Sequence, residues 1–227
     1  MQVDTVLLDL DNTLLNRRAA FLVFAERFID KFIQLSNETE RKSIINYLVE
    51  ADRDGYRKKK ELYEEIRSSL RFKEPMPTIE QLLEYWFSEF HQCSVLMDGA
   101  IEVLDYLKAK GIKLGLITNG AIRSQRSKID QVNIRSYFDT IVISDEVGIK
   151  KPDKLIFEIT LEKLKSNPQN TIFVGDQPIN DIAGAEAAGI RGVWLSGFSE
   201  WIIPDREPTY TIQNLQQLIQ LVEELAS

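Results

Sequence analysis

One cysteine, Cys93, and one histidine, His91, are all the chain has of either residue. That scarcity excludes an internal disulfide framework and a zinc site of the usual Cys/His kind, and it fits a reducing compartment with Cys93 as a small buried apolar side chain. No stretch reaches the ~18 uninterrupted apolar residues of a membrane span. Asp4, Asp9 and Asp11 stand near the start, where a signal peptide would carry basic and then apolar residues, so a cytoplasmic protein with no membrane partner is expected. Positive charge is also scarce, with 28 Lys and Arg against 35 Asp and Glu for a net charge of −7. Phosphate polyanions are held by dense Lys/Arg surfaces, so a nucleic-acid polymer is not an expected partner, whereas a small phosphorylated molecule needs positive charge only locally.

What is present describes a globular protein of 227 residues, 44% of them hydrophobic. That length suits one large core with an accessory module. Short, nearly continuous apolar runs at 5–8, 112–117, 140–143, 171–174 and 192–195 read as buried strands. Helix-sized segments at 120–132, 152–164 and 179–188 alternate with the later runs. Leu215, Leu218, Ile219, Val222 and Leu225 share one face of a terminal helix. The expected fold is α/β: a Rossmann-like parallel sheet with helices on both faces. Residues 17–96 break the alternation and show helical periods only, with Phe21, Phe24, Phe28, Phe32 and Leu35 in one stripe and Ile79, Leu82, Leu83, Trp86, Phe87 and Phe90 in another. An insertion that long is no ordinary connection. It predicts an all-helical cap domain at 17–96, inserted into a core of 1–16 and 97–227, with the aromatic stripes as bundle core.

Ligands collect beyond the carboxyl ends of parallel strands, and there the polar residues of this chain gather. The first run ends in Asp9-Leu10-Asp11-Asn12-Thr13, and the second in Thr118-Asn119-Gly120. The third leads to Gly148-Ile149-Lys150-Lys151-Pro152-Asp153, with the proline expected at a first helical position, and the fourth to Gly175-Asp176 and on to Asp181. An acidic pair after one strand is commonplace. Carboxylates from several strand ends at one rim repel each other and call for cations. An all-oxygen ligand set with few protein donors points to Mg²⁺ before zinc, and Lys151 adds a fixed charge, so together they make a site for a doubly charged phosphoryl group.

The series Asp9-x-Asp11-x-Thr13, Thr118-Asn119, Lys151-Pro152 and Gly175-Asp176-x4-Asp181 resembles the four ordered motifs of the haloacid dehalogenase-like (HAD) hydrolase superfamily. The helical insertion sits where that superfamily places its first type of cap. The stretches 116–120, 137–139 and 142–148 are further similar to the branch of nucleoside-monophosphate and acylneuraminate phosphatases.

The resemblance implies a Mg²⁺-dependent phosphomonoester hydrolase acting on a small phosphorylated metabolite, with a nucleotidase as the first expectation. In that scheme Asp9 is the nucleophile and a metal ligand, and Asp11 is the acid/base, its carbonyl also binding metal. Asp176 is a direct metal ligand, and Asp181 acts through water or Lys151. Thr118 and the Asn119 backbone N–H bind the phosphoryl group, Lys151 steadies that group and Asp9, and Thr13 supports the loop. An alcohol leaves poorly as alkoxide, so Asp11 argues against a dehalogenase and a transport ATPase. A phosphomutase, a phosphonatase using a lysine from the Arg57-Lys58-Lys59-Lys60 run, and a non-catalytic phosphate-binding module stay as alternatives. That basic run reads first as a solvated helix face paired with Glu61, Glu64 and Glu65. His91 reads as structural, and Trp194, Phe198 and Trp201 as packing.

Overall fold

The computed structural model describes residues 3–205 and 207–226. Strands β1 (Thr5–Leu8), β2 (Lys113–Thr118), β3 (Thr140–Ile143), β4 (Thr171–Gly175), β5 (Arg191–Leu195) and β6 (Tyr210–Ile212) form one parallel sheet in the order β3-β2-β1-β4-β5-β6. The chain runs outward from β1 to β3 and then returns to lay β4 on the other side of β1. That reversal opens a crevice at the carboxyl end of β1.

Val6, Leu8, Leu114, Leu116, Ile172 and Val174 pack on one face of the sheet with α5 (Ala100–Ala109) and α10 (Gln217–Ala226). Leu7, Ile117 and Phe173 pack on the other with α8 (Lys154–Leu164). Burial on both faces is why these strands read as unbroken apolar runs.

Contacts divide the chain into two compact units, one of Met1–Asn16 with Leu96–Ser227 and the other of Arg17–Val95. Within the first unit the two ends flanking the insertion lie side by side. Leu15 bridges Leu96 antiparallel, and the Met97 N–H donates to the Leu14 carbonyl at 2.8 Å. The second unit carries α1 (Arg17–Phe32), α2 (Glu38–Asp52), α3 (Lys59–Ser69) and α4 (Ile79–Glu89). Its core joins Phe21, Phe24 and Phe28 of α1 to Leu82 and Trp86 of α4 and to Phe90, while Phe32, Leu35, Ile79, Leu83 and Phe87 pack at its margin. Phe24 meets Trp86 edge-on at 5.0 Å, and Trp86 stacks on Phe90 at 4.0 Å. Cys93 is buried in the same core.

Several boundaries differ from expectation for local reasons. The helix expected over 120–132 is α6 (Ile122–Gln131), because Gly120 at φ +147° and the extended Ala121 belong to the turn before it. Pro152 is not a first helical residue: it sits in a turn after a cis peptide, and Asp153 caps α8 by accepting from the Leu155 N–H at 3.0 Å. The segment expected at 179–188 opens as a π-helical turn, Pro178–Ala183, before α9 (Gly184–Ala187). The apolar pattern pointed to neither α5 nor β6, and a further short helix, α7 (Ser144–Val147), follows β3. Among the described residues no helix is long and apolar enough to cross a membrane.

The helical unit also encloses charge. Asp52, 1% exposed, pairs with Arg17 Nη2 at 2.8 Å and Lys59 Nζ at 2.5 Å, and the two cations lie over the Phe90 and Trp86 rings at 5.4 and 4.6 Å. Removing that carboxylate takes from two largely desolvated cations the anion they share, which typically costs ~3–5 kcal/mol. Asp52→Ala is therefore expected to lower unfolding free energy in urea by that amount, whereas Glu158→Ala, which breaks the exposed Lys154–Glu158 pair, is expected to cost under ~1 kcal/mol.

Candidate active site

The site begins at the end of β1. Leu8 is in register with Leu116 of β2 and Val174 of β4, so the next residue, Asp9, emerges between the ends of those strands. Asp9 Oδ1 accepts from Lys151 Nζ at 2.5 Å, and the same ammonium donates to the Ile117 carbonyl at 3.0 Å. It also forms an ion pair with Asp181 Oδ1 at 2.6 Å. The Lys151 backbone is fastened to the end of β2: its N–H donates to Asn119 Oδ1 at 2.9 Å, and Asn119 Nδ2 donates to its carbonyl at 3.0 Å.

Asp176 follows β4 directly. Its Oδ2 accepts from Gln177 Nε2 at 2.9 Å, and its carbonyl accepts from Trp194 Nε1 at 2.9 Å and from the Ser199 hydroxyl. The π-helical turn delivers Asp181 to the same place, with Oδ2 accepting from the Gln177 N–H at 2.9 Å. Gly175 makes room for it, since a Cβ there would overlap the Asp181 carboxyl. Asp9, Asp176 and Asp181 are all buried, and each offers a carboxylate oxygen within 4.8 Å of the others.

Three buried carboxylates face one ammonium, and the electrostatics follow. Burial, opposed by Lys151 and reinforced by Asp181, pushes Asp9 up to about 7. Burial, reinforced by Asp181 and Asp9, pushes Asp176 up to about 8. Burial alone would lower Lys151, but Asp181 and Asp9 outweigh it and hold the ammonium above its ordinary range. A pocket in which carboxylates resist ionisation, and whose donors are all oxygen, fits a hard divalent cation.

Asp11 lies outside this triad. Its carboxylate is gripped by Lys128 Nζ at 2.9 and 2.7 Å and by Gln125 Nε2 at 3.0 Å. Gln125 Nε2 also donates to Thr118 Oγ1 at 2.5 Å. Thr13 Oγ1 is buried without a hydrogen-bond partner, and the Thr13 N–H reaches the Leu10 carbonyl at 3.4 Å.

Nothing in the sequence singled out Gln125, Lys128, Gln177 or Ser199. Trp194, read as packing, holds the Asp176 carbonyl as well as meeting the Trp201 ring at 5.3 Å. In the helical unit, Lys58 pairs with Glu61 at 3.5 Å, as expected of a solvated face, but Arg57, ahead of α3 and half-buried, pairs with Glu65, and Lys59 turns inward to Asp52.

The family model for haloacid dehalogenase-like hydrolases matches residues 6–195. Pyrimidine 5'-nucleotidase YjjG of Escherichia coli is 33% identical over 144 residues, 63% of this chain and 63% of that protein, so the shared segment spans under two thirds of the relative. A glyceraldehyde 3-phosphate phosphatase of Methanocaldococcus jannaschii is 29% identical over 230 residues, 97% of each chain. Among solved structures, a magnesium-bound crystal structure of YfnB from Bacillus subtilis, assigned to the HAD-hydrolases, superposes with a TM-score of 0.73 at 25% identity, covering 98% of this chain and 99% of that one. Because the family match runs from β1 through β5, across every strand that lends a residue to the pocket, the chain belongs to the haloacid dehalogenase-like hydrolases.

Proposed function

We propose that the chain is a phosphomonoester hydrolase that uses Mg²⁺ and an aspartyl-phosphate on Asp9 to dephosphorylate a small metabolite. The observation that carries this reading is the buried meeting of Asp9, Asp176 and Asp181 around the Lys151 ammonium. The relatives named for nucleotidase and phosphatase activities support it. Asp9, Asp176 and the Asp11 carbonyl would hold the metal, with Asp181 acting through Lys151. When bound, the metal would neutralise charge on the phosphoryl oxygens.

One oxygen of Asp9 bonds to phosphorus in line as the ester P–O bond breaks, and Asp11 gives its proton to the departing alcohol oxygen. Water then attacks the phosphorus. Asp11 takes the proton, the bond to Asp9 breaks, and inorganic phosphate leaves with both carboxyl groups restored. Thr118 and the Asn119 N–H hold the moving phosphoryl group, and Lys151 steadies it against Asp9. The helical residues 17–96 serve as the cap domain. A nucleoside monophosphate is the first substrate class, favoured by the resemblance to the pyrimidine nucleotidase. A triose phosphate is the second, favoured by the end-to-end resemblance to the M. jannaschii phosphatase.

The test is release of inorganic phosphate from both substrate classes, ranked by kcat/KM. Asp9→Asn is expected to abolish turnover, and Asp11→Asn to lower it ~10²–10⁴-fold on alkyl esters. Undiminished release by Asp9→Asn would overturn the reading.

Metal and protons compete for the same oxygens. In metal-free protein, Asp9 at about 7 and Asp176 at about 8 lie above the ordinary aspartate value of 3.8, so the folded state binds more protons than the unfolded one across that interval. Their contribution to stability is complete below pH 4 and fades as pH rises to 8. The rise in Tm on adding Mg²⁺ is therefore expected to be larger at pH 8 than at pH 5.5. An equal rise at both pH values would count against metal binding at these carboxylates.

A further inference from the structure

We propose that Gln125 and Lys128, on one face of α6, are positioning residues that fix Asp11 and Thr118 for proton and phosphoryl transfer. The inference rests on the roles given to those two residues above.

Three observations carry it. Gln125 is 2% and Lys128 5% exposed, although α6 is otherwise a largely polar helix whose buried apolar anchor is Ile129. Long polar side chains are buried in this way only when firmly partnered. Spaced i and i+3, the two point together, and both reach Asp11.

The bonding pattern itself is directional. Lys128 spans both Asp11 oxygens at 2.9 and 2.7 Å, so the carboxyl plane cannot turn without losing one of them. The Gln125 amide supplies two protons, one to Asp11 Oδ2 and one to Thr118 Oγ1. With a lone pair of Thr118 so occupied, its hydroxyl proton must aim elsewhere, and a phosphoryl oxygen is the acceptor that the reaction brings. One amide thus ties the group that handles the proton to the group that grips the phosphate.

Gly120 completes the arrangement. It adopts φ +147°, and a Cβ on it would lie 3.1 Å from the Gln125 side chain. The bare backbone leaves Gln125 its path back over the end of β2.

Proton delivery matters for an alkyl ester and little for a nitrophenyl ester, whose leaving group departs unprotonated. A misplaced catalytic group can cost ~10²-fold. Lys128→Met is therefore expected to lower kcat/KM ~10–100-fold on an alkyl phosphate and under ~3-fold on 2,4-dinitrophenyl phosphate, with Lys128→Arg recovering most of the alkyl activity. Gln125→Met is expected to weaken competitive inhibition by inorganic phosphate as well, since it releases Thr118.

Equal losses on both esters, or no loss, in Lys128→Met, or a Lys128→Arg variant that recovers none of the alkyl activity, would overturn the positioning role. Asp11→Asn run alongside separates the two failures. If Asp11→Asn discriminates between the esters and Lys128→Met does not, the positioning role falls alone. If Asp11→Asn does not discriminate, the acid/base reading falls first, and the inference with it.

Discussion

The Lys151 ammonium, 3% exposed and wedged between Asp9 and Asp181, is the contact on which the pocket depends. Carboxylates brought this close in a dry site repel, and each would take up a proton if nothing opposed the repulsion. One lysine offsets part of the charge, and what is left over makes a cation welcome. The lysine in turn depends on the sheet. It reaches the site because Asn119 clasps its backbone and the Ile117 carbonyl accepts from its amine, and both groups lie at the end of β2. Strand register, loop attachment and site charge therefore form one chain of cause.

The segment after β4 meets a different demand, two carboxylates five residues apart in a single cluster. Asp176 leaves the strand directly, while Asp181 comes round on a π-helical turn, wider than an α-turn and common at functional sites. Gln177 ties the two together, its side chain donating to Asp176 and its backbone N–H to Asp181. Gly175 permits the approach by offering no side chain where the Asp181 carboxyl sits. Trp194 and Ser199 then brace the Asp176 carbonyl from the end of β5 and the loop after it.

The helical unit is held on other terms. Its aromatic core supplies the apolar burial, and the buried carboxylate of Asp52 neutralises cations from α1 and α3 that lie over aromatic rings. Lys59 shows how far a basic run can depart from its pattern: Arg57 and Lys58, just ahead of α3, pair with glutamates of that helix, while Lys59 turns to the buried aspartate.

The sheet was legible because burial on both faces writes itself into sequence as apolar runs, and the five runs expected as strands correspond to β1 to β5. β6 was not, being a three-residue edge strand whose pairing with β5 makes it a strand at all. The strand-end residues Asp9, Thr118, Lys151, Asp176 and Asp181 were legible because polar groups after buried strands have few places to go. Gln125 and Lys128 were hidden, since a glutamine and a lysine on a polar helix read as solvent-facing until the fold turns that face toward Asp11. By itself, then, the sequence determined the layered fold and the oxygen-rich chemistry of its crevice, because periodicity and residue type are local properties. Which side chains hold Asp11, Thr118 and the Asp176 carbonyl was decided by tertiary structure alone, because those partners lie on other elements and meet only when the sheet closes its register.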